Sequence, residues 1–308
     1  MPTFKEKEQR CQCLFDTGRP YWHLYTAGKE TPLIFSHPED FAFAMNVIAQ
    51  TAAERTEIRI IAFEIMGNHL HILAAGRSEE LLEAFSFLRK RIARGLKSTH
   101  PEGLPRKFAP KLKEVTSLEA MRNTIVYINR NGFVADSDYT PYSYPWGTGG
   151  LFFGQEMDSH LSFNDISSLE CRALFRGRVP KIPGDWPMSG SGYILPSAYC
   201  HADFGKAMFR DAHHYFSLLS KSVEALSDLA VELDEEEFLT DPELFARLGA
   251  ILGTDYGVHS IKDLSAPQKY DLARRVRREF RSSNGQIRRV LALSRYEVDS
   301  LFPLTARG

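Results

Sequence analysis

Two imidazoles stand two residues apart in the run 63–73, Phe-Glu-Ile-Met-Gly-Asn-His-Leu-His-Ile-Leu, an otherwise apolar stretch with the alternation of a β-strand. Strand side chains alternate between faces, so His69 and His71 share one face while Leu70 and Ile72 take the other. Two imidazoles so placed are a partial ligand set for a divalent metal, though the same spacing suits two ordinary half-buried histidines. Glu64, on the strand entering the turn, is either a group beside that metal or an exposed carboxylate. Further along, residues 116–132 read as a helix. Thr116 or Ser117 can cap it, Glu119 lies in its first turn, and Gly132 sits where a glycine stops a helix. Leu118, Met121, Ile125 and Ile128 form its buried stripe. Tyr127 and Asn131 are four apart and share a face. A phenol and an amide oxygen on one face offer a nucleophile and a third metal ligand.

In their order and spacing, Met66-Gly67-Asn68-His69-Leu70-His71 and Tyr127-Ile128-Asn129-Arg130-Asn131 resemble the single-tyrosine HUH transposases. The nearest branch is the REP-associated tyrosine transposases, in which a tripeptide like Tyr144-Pro145-Trp146 often follows. The resemblance covers roughly residues 20–150. It departs at Leu70, where the family often has Val, and at Gly132, where it often has Pro. Neither change removes a chemical group. The resemblance implies an antiparallel sheet with helices on one side and the histidines on a central strand. It also implies Mg²⁺ or Mn²⁺ held by His69, His71 and Asn131, and attack by Tyr127 on a single-stranded or hairpin DNA. The outcome would be a 5′-phosphotyrosine enzyme, a free 3′-OH and strand transfer, by a monomer. Two alternatives keep the fold: a DNA-binding regulator without catalysis, and a metal phosphoesterase that uses water.

Several elements must position these groups. Residues 21–26 read as a strand and 38–54 as a helix. Residues 57–66 and 68–75 read as strands joined by a Gly67-Asn68 hairpin turn. A helix follows from Ser78, as its cap, to about Lys97, then a strand over 108–115 before the Tyr127 helix. This β-α-β-β-α-β order predicts an α+β, ferredoxin-like domain over residues 1–150. Residues 151–263 read as a connector, rich in Gly, Pro and aromatics to about residue 196, followed by helices over 202–222 and 242–252. Residues 264–308 read as a basic, helix-turn-helix-like end, with helices over 266–281, 284–291 and 295–302 and Ser294 as a cap. There Arg295, Tyr296 and Asp299 would face DNA.

The 308 residues carry a formal net charge of −1, with 43% hydrophobic and 25% charged residues, an ordinary globular composition. Charge distribution, not the total, governs phosphate binding. Residues 269–295 hold nine basic residues, Lys269, Arg274, Arg275, Arg277, Arg278, Arg281, Arg288, Arg289 and Arg295, against Asp271 and Glu279; an acidic run over 232–237 precedes them. A second basic concentration comprises Arg89, Lys90, Arg91, Arg94 and Lys97, with Arg106, Lys107, Lys111 and Lys113 after it. Arg122 and Arg130 on the Tyr127 helix could also meet phosphate. Four cysteines make no disulfide framework in a chain this long, and Cys11-Gln-Cys13 near His23 is at most a fragment of a zinc site. No apolar run approaches the ~20 residues that span a bilayer, and no signal-like segment opens the chain. A cytoplasmic location and no membrane partner are expected.

Overall fold

After an N-terminal helix that the spacing did not predict, strands and helices follow in the expected order. The order is α1 (Phe4–Thr17), β1 (Tyr21–Thr26), α2 (Pro38–Glu54), β2 (Arg59–Ile65), β3 (Leu70–Ala75), α3 (Ser78–Gly95), β4 (Pro110–Glu114) and α4 (Leu118–Ala135). The structure is a computed structural model and describes residues 2–29, 31–135, 139–140, 142–154, 161–220, 239, 241–280, 282 and 284–302. Arg281, the acidic run 232–237, the Asp299 side chain and the last residues of the expected 202–222 helix lie outside the described residues. The fold is α+β. Strands β1–β4 form an antiparallel sheet in the order β2-β3-β1-β4, and Leu161–Ser162 pairs with Pro187–Met188 in a small second sheet.

Local chemistry accounts for the boundaries. The β2–β3 turn is closed by Met66 N–H donating to His69 O at 2.8 Å, which leaves Gly67 and Asn68 as the two turn residues. Pro38 opens α2, and the Asp40 carboxylate accepts from Ser36 and His37 N–H. Helix α3 begins at Ser78, the residue expected to cap it. Arg77 takes that place because the Glu80 carboxylate accepts its N–H at 3.0 Å. Ser117 caps α4 by accepting from Ala120 N–H at 3.1 Å.

Helices α2 and α3 bury their apolar sides on one sheet face, against Leu24, Ile60, Leu70, Ile72 and Ala74. The expectation of helices on one side only is corrected: α4 covers the other face. That face carries Tyr21, His23, His71 and Leu73, all almost wholly buried, and could not stand open to water. The free edge of β2 is covered as well. Ile65 N–H donates to Trp146 O at 2.8 Å, Thr148 N–H to Phe63 O at 3.0 Å, and Phe63 N–H to Thr148 Oγ1 at 3.0 Å.

By its internal contacts the chain gathers into two compact units, residues 1–132 with 141–221, and residues 133–140 with 222–308. Residues 151–220 belong to the first because they pair with it. His201 N–H donates to Ile60 O at 2.7 Å, Asn46 bridges Gly192 O and Ile194 N–H at 2.9 Å each, and Arg122 reaches Met208 O. The expected 202–222 helix is two helices, Ala202–Lys206 and Ala212–Ser220, since Asp211 accepts from His214 N–H and starts a new one. In the second unit, Leu239, Leu244, Leu248 and Leu264 share a core with Leu272, Val276, Ile287, Val290 and Val298. Its last helices are Ala266–Glu279, Asn284–Leu291 and Arg295–Leu301, the last capped by Ser294 as expected. Among the described residues no helix is long and apolar enough to cross a membrane. All four cysteines are free thiols, with Cys11 buried and Cys13 exposed, so the two do not converge.

Candidate active site

Strand register assembles the site. Along β3, residues 69, 71 and 73 alternate with the core-facing 70, 72 and 74. On β1, His23 lies opposite Leu73 and Tyr25 opposite His71. On β4, Lys113 lies opposite His23 and Lys111 opposite Tyr25. On β2 an extra residue between Ile60 and Ala62 shifts the register so that Glu64 faces His71. Without that bulge Glu64 would point into the α2–α3 layer, so the irregularity re-aims a carboxyl at the histidines.

Helix α4 lies across this face. The Tyr127 ring stands edge-on to His71, with centroids 5.6 Å apart and planes at 89°, and 6.3 Å from His23. Asn131 is one turn further along the same helical face and is buried, as is Tyr127. Tyr127, His71 and His69 are therefore brought together as the sequence led us to expect. His69 stands just ahead of β3, its ring perpendicular to that of His71 at 5.0 Å.

Hydrogen bonds define the ring nitrogens. Asn68 Nδ2 donates to Gly28 O at 2.8 Å and Thr31 O at 2.9 Å, which fixes its amide orientation. Its Oδ1 then faces His69 Nδ1 at 2.6 Å. An amide oxygen only accepts, so His69 carries its proton on Nδ1 and keeps a lone pair on Nε2. His71 Nδ1 meets His23 Nε2 at 3.1 Å. Burial holds His69 down to about 4 and His23 to about 3, the latter helped by the Lys113 charge. Burial also pushes His71 well below the usual imidazole range, with the His69 and His23 charges adding to it. The three rings are neutral at physiological pH. Glu64, 1% exposed, is pushed well above the carboxylate range by burial, against the opposing Gly132 N–H that donates to it. It is not the exposed carboxylate that one alternative allowed.

Gly132 does not end α4, which continues to Ala135. Its role is close approach: a Cβ there would strike the Tyr144 ring and Glu64 Oε1. Among the described residues no group of three or more His, Cys, Asp or Glu is gathered to hold a metal. The neutral His69 and His71 imidazoles and the Asn131 amide are instead nitrogen and oxygen donors, the mixed set the resemblance implies. Its chemistry fits a divalent ion such as Mn²⁺, and Mg²⁺ less closely. Asn131 Nδ2 is buried with no hydrogen-bond partner, as an amide placed for an incoming group would be.

The expected DNA contacts divide sharply. Arg89, Lys90 and Arg94 ride on α3, in the layer opposite the histidines, and Arg89 Nε donates to Phe108 O. Arg122 is buried, its guanidinium clamped by Glu8 at 2.6 and 3.1 Å and by Met208 O at 2.7 Å. Arg130 is buried too. Both side chains lie in the interior, although Glu119 on the same helix is exposed and Ala120 and Asn123 are half-buried. In the second unit, Arg275 pairs with Asp255 and Glu279, and Arg289 with Asp241. Arg274, Arg278, Arg288 and Arg295 are exposed, as is Tyr296.

Four residues take places in the site that the sequence reading had not given them. His23 belongs to the cluster, not to the cysteines; Lys111 and Lys113 belong to its rim; Asn68 sets a tautomer. Only β1–β3 and β1–β4 pairing reveals the first three, whereas Asn68 was adjacent in the motif itself. Compared with known proteins, the chain matches no family model, no curated protein and no solved structure.

Proposed function

We propose that the chain is a metal-dependent single-strand DNA nuclease and strand transferase, with Tyr127 as nucleophile, acting at hairpin or palindromic repeats. The observation that carries this reading is the Tyr127 ring set edge-on over His71, with Asn131 one turn on. The β-α-β-β-α-β order and the β2-β3-β1-β4 sheet support a ferredoxin-like reading of the domain. The motifs that resemble REP-associated tyrosine transposases fall on these same elements.

The Tyr127 oxygen attacks phosphorus, the bond from phosphorus to the 3′ oxygen breaks, and that oxygen leaves as a 3′-OH after taking a proton. One phosphodiester is exchanged for a phosphotyrosyl ester, so religation by the reverse step needs no ATP. A divalent ion held by His69, His71 and Asn131 would polarise a non-bridging oxygen and offset developing charge. For His71 to present Nε2 as a ligand, its Nδ1 proton must be donated to His23 Nε2, which makes His23 the group that orients it. A phenol of pKa about 10 must lose its proton to attack. The Lys111 and Lys113 charges on the rim favour phenolate and attract the phosphate backbone. The helices Asn284–Leu291 and Arg295–Leu301 are read as a helix-turn-helix, with Arg274, Arg278, Arg288 and Arg295 contacting backbone phosphates.

The test uses 5′- and 3′-labelled hairpin oligonucleotides, from repeats flanking the gene, with and without Mn²⁺ on a denaturing protein gel. A metal-dependent, detergent-resistant adduct that vanishes in Tyr127→Phe is expected. Shifted but uncut DNA would favour a non-catalytic binding protein. Cleavage that survives Tyr127→Phe would point to water as nucleophile.

A further inference from the structure

Around the β2 edge from the histidine face, the first unit holds a cavity of ≈ 340 Å³. Its walls include the rings of Tyr142, Tyr144 and Tyr193, with Leu195, Pro196 and Ser197, and none of the lining side chains is charged. Two rings are fixed. Tyr144 O–H donates to Ile65 O at 2.8 Å, and Tyr193 is buried against Trp146 with centroids 5.7 Å apart. Tyr142 is different, 53% exposed at the mouth. The Tyr144 ring stands between this cavity and the proposed active site, since it lines the one and packs on Gly132, beside Asn131, in the other. Gly132 lies roughly 7.5 Å along α4 from Tyr127, a span of about two stacked nucleotides at ~3.4 Å each.

We infer that this cavity receives one unstacked base of the single-stranded substrate, close beside the phosphate that Tyr127 attacks. The inference rests on the proposed nuclease reading and adds a base subsite to it. Uncharged aromatic walls suit the π-face of any base, and stacking of this kind tolerates sequence. The exposed Ser143 and Ser197 at the rim can hydrogen-bond a base edge without committing to one base. The phosphates themselves would stay outside, since the cavity offers them no cation.

The experiment measures binding of full-length protein, in EDTA so that nothing is cut, to an oligothymidylate and to an abasic strand of equal length. Tyr142→Ala, and Ser197→Leu, which narrows the mouth, are each expected to weaken oligothymidylate binding about tenfold. Neither should change affinity for the abasic strand, and Tyr142→Phe should retain wild-type binding. Both residues are exposed, so far-UV circular dichroism should be unchanged. Oligothymidylate affinity unaltered by both variants overturns the base subsite and leaves the nuclease reading standing. Equal losses on both strands also overturn it, since the residues would then touch backbone. A wild-type protein that binds neither strand, nor any hairpin, overturns the nuclease reading itself and the subsite with it.

Discussion

His23 stands at the back of the proposed ligand set, 3.1 Å from His71 Nδ1. Replacing it by Phe keeps a buried ring but removes the nitrogen that fixes the His71 tautomer. Loss of such a partner typically costs 10–100-fold in metal affinity. Mn²⁺ titrated into DNA-free His23→Phe, with free ion read by electron paramagnetic resonance, should therefore bind at least about tenfold more weakly. An unchanged isotherm would remove His23 from the site. Asn68→Ala should act in the same direction through His69, because Nδ1 then loses its acceptor. Arg122 gives a second, separate test. Its buried guanidinium depends on Glu8, whose carboxyl is held below the usual range chiefly by the Arg122 hydrogen bond. A lowered folded value contributes stability that is fully present above the unfolded value of 4.5 and lost as pH falls through the folded one. Glu8→Gln should cost about 1–2 kcal/mol at pH 7, less than the ~3–5 for a fully buried pair, because Glu8 is partly exposed. Urea titrations should show the gap to wild type narrowing once the pH drops below 4.5. A gap that widens in acid would contradict the pairing.

At the scale of elements, α4 is tied to its neighbours by a buried chain of polar groups. Thr148 Oγ1 donates to Asn129 Oδ1 at 2.9 Å, and Asn129 Nδ2 donates to Tyr215 O–H at 3.2 Å. This links the β2 edge, α4 and the Ala212–Ser220 helix, and Gly132 lets the Tyr144 segment close against them. Gly132→Ala should destabilise by about 1–3 kcal/mol, since a methyl meets a buried ring and a buried carboxyl. Thermal unfolding should show a fall of several degrees, partly restored by adding Tyr144→Ala. A Tm equal to wild type would mean that the approach is looser than described. What could be read from the sequence follows the same division. Tyr21–Thr26, the Gly67-Asn68 turn and the 118–128 stripe were legible because alternation, turn residues and helical spacing are local properties. So was the meeting of Tyr127 with the histidines, through the resemblance. The bulge that turns Glu64 inward, the second layer over the sheet and the burial of Arg122 and Arg130 depend on partners far along the chain. Gly132 was misread for that reason: near a helix end, glycine signals a stop just as well as a close contact.

Across the whole molecule, the near-zero net charge hides local concentrations, but structure trims what those concentrations can do. In the second unit Arg289 meets Asp241 at 2.7 and 3.1 Å, and Arg275 sits between Asp255 and Glu279. Arg277 donates to Ser282 O and lies over the Phe302 ring. The seven-charge excess counted over residues 269–295 thus includes cations already held in ion pairs. Arg274, Arg288 and Arg295 are exposed, and Tyr296, 82% exposed, stands next to Arg295. Each phosphate contact on a single strand adds about 0.7 to the slope of log affinity against log salt. Replacing Arg274, Arg288 and Arg295 together by Gln should lower that slope by about 2, by fluorescence anisotropy over a salt series. Replacing Arg275 and Arg289 by Gln should leave the slope nearly unchanged and lower the melting temperature instead, because Asp241 and Asp255 lose their partners. The opposite pattern would mean that the ion pairs open on DNA and that the charge count along the sequence was the better guide. Parallel losses in both sets would make the tail a diffuse basic field with no distinct binding face, and a helix-turn-helix reading could not stand on it.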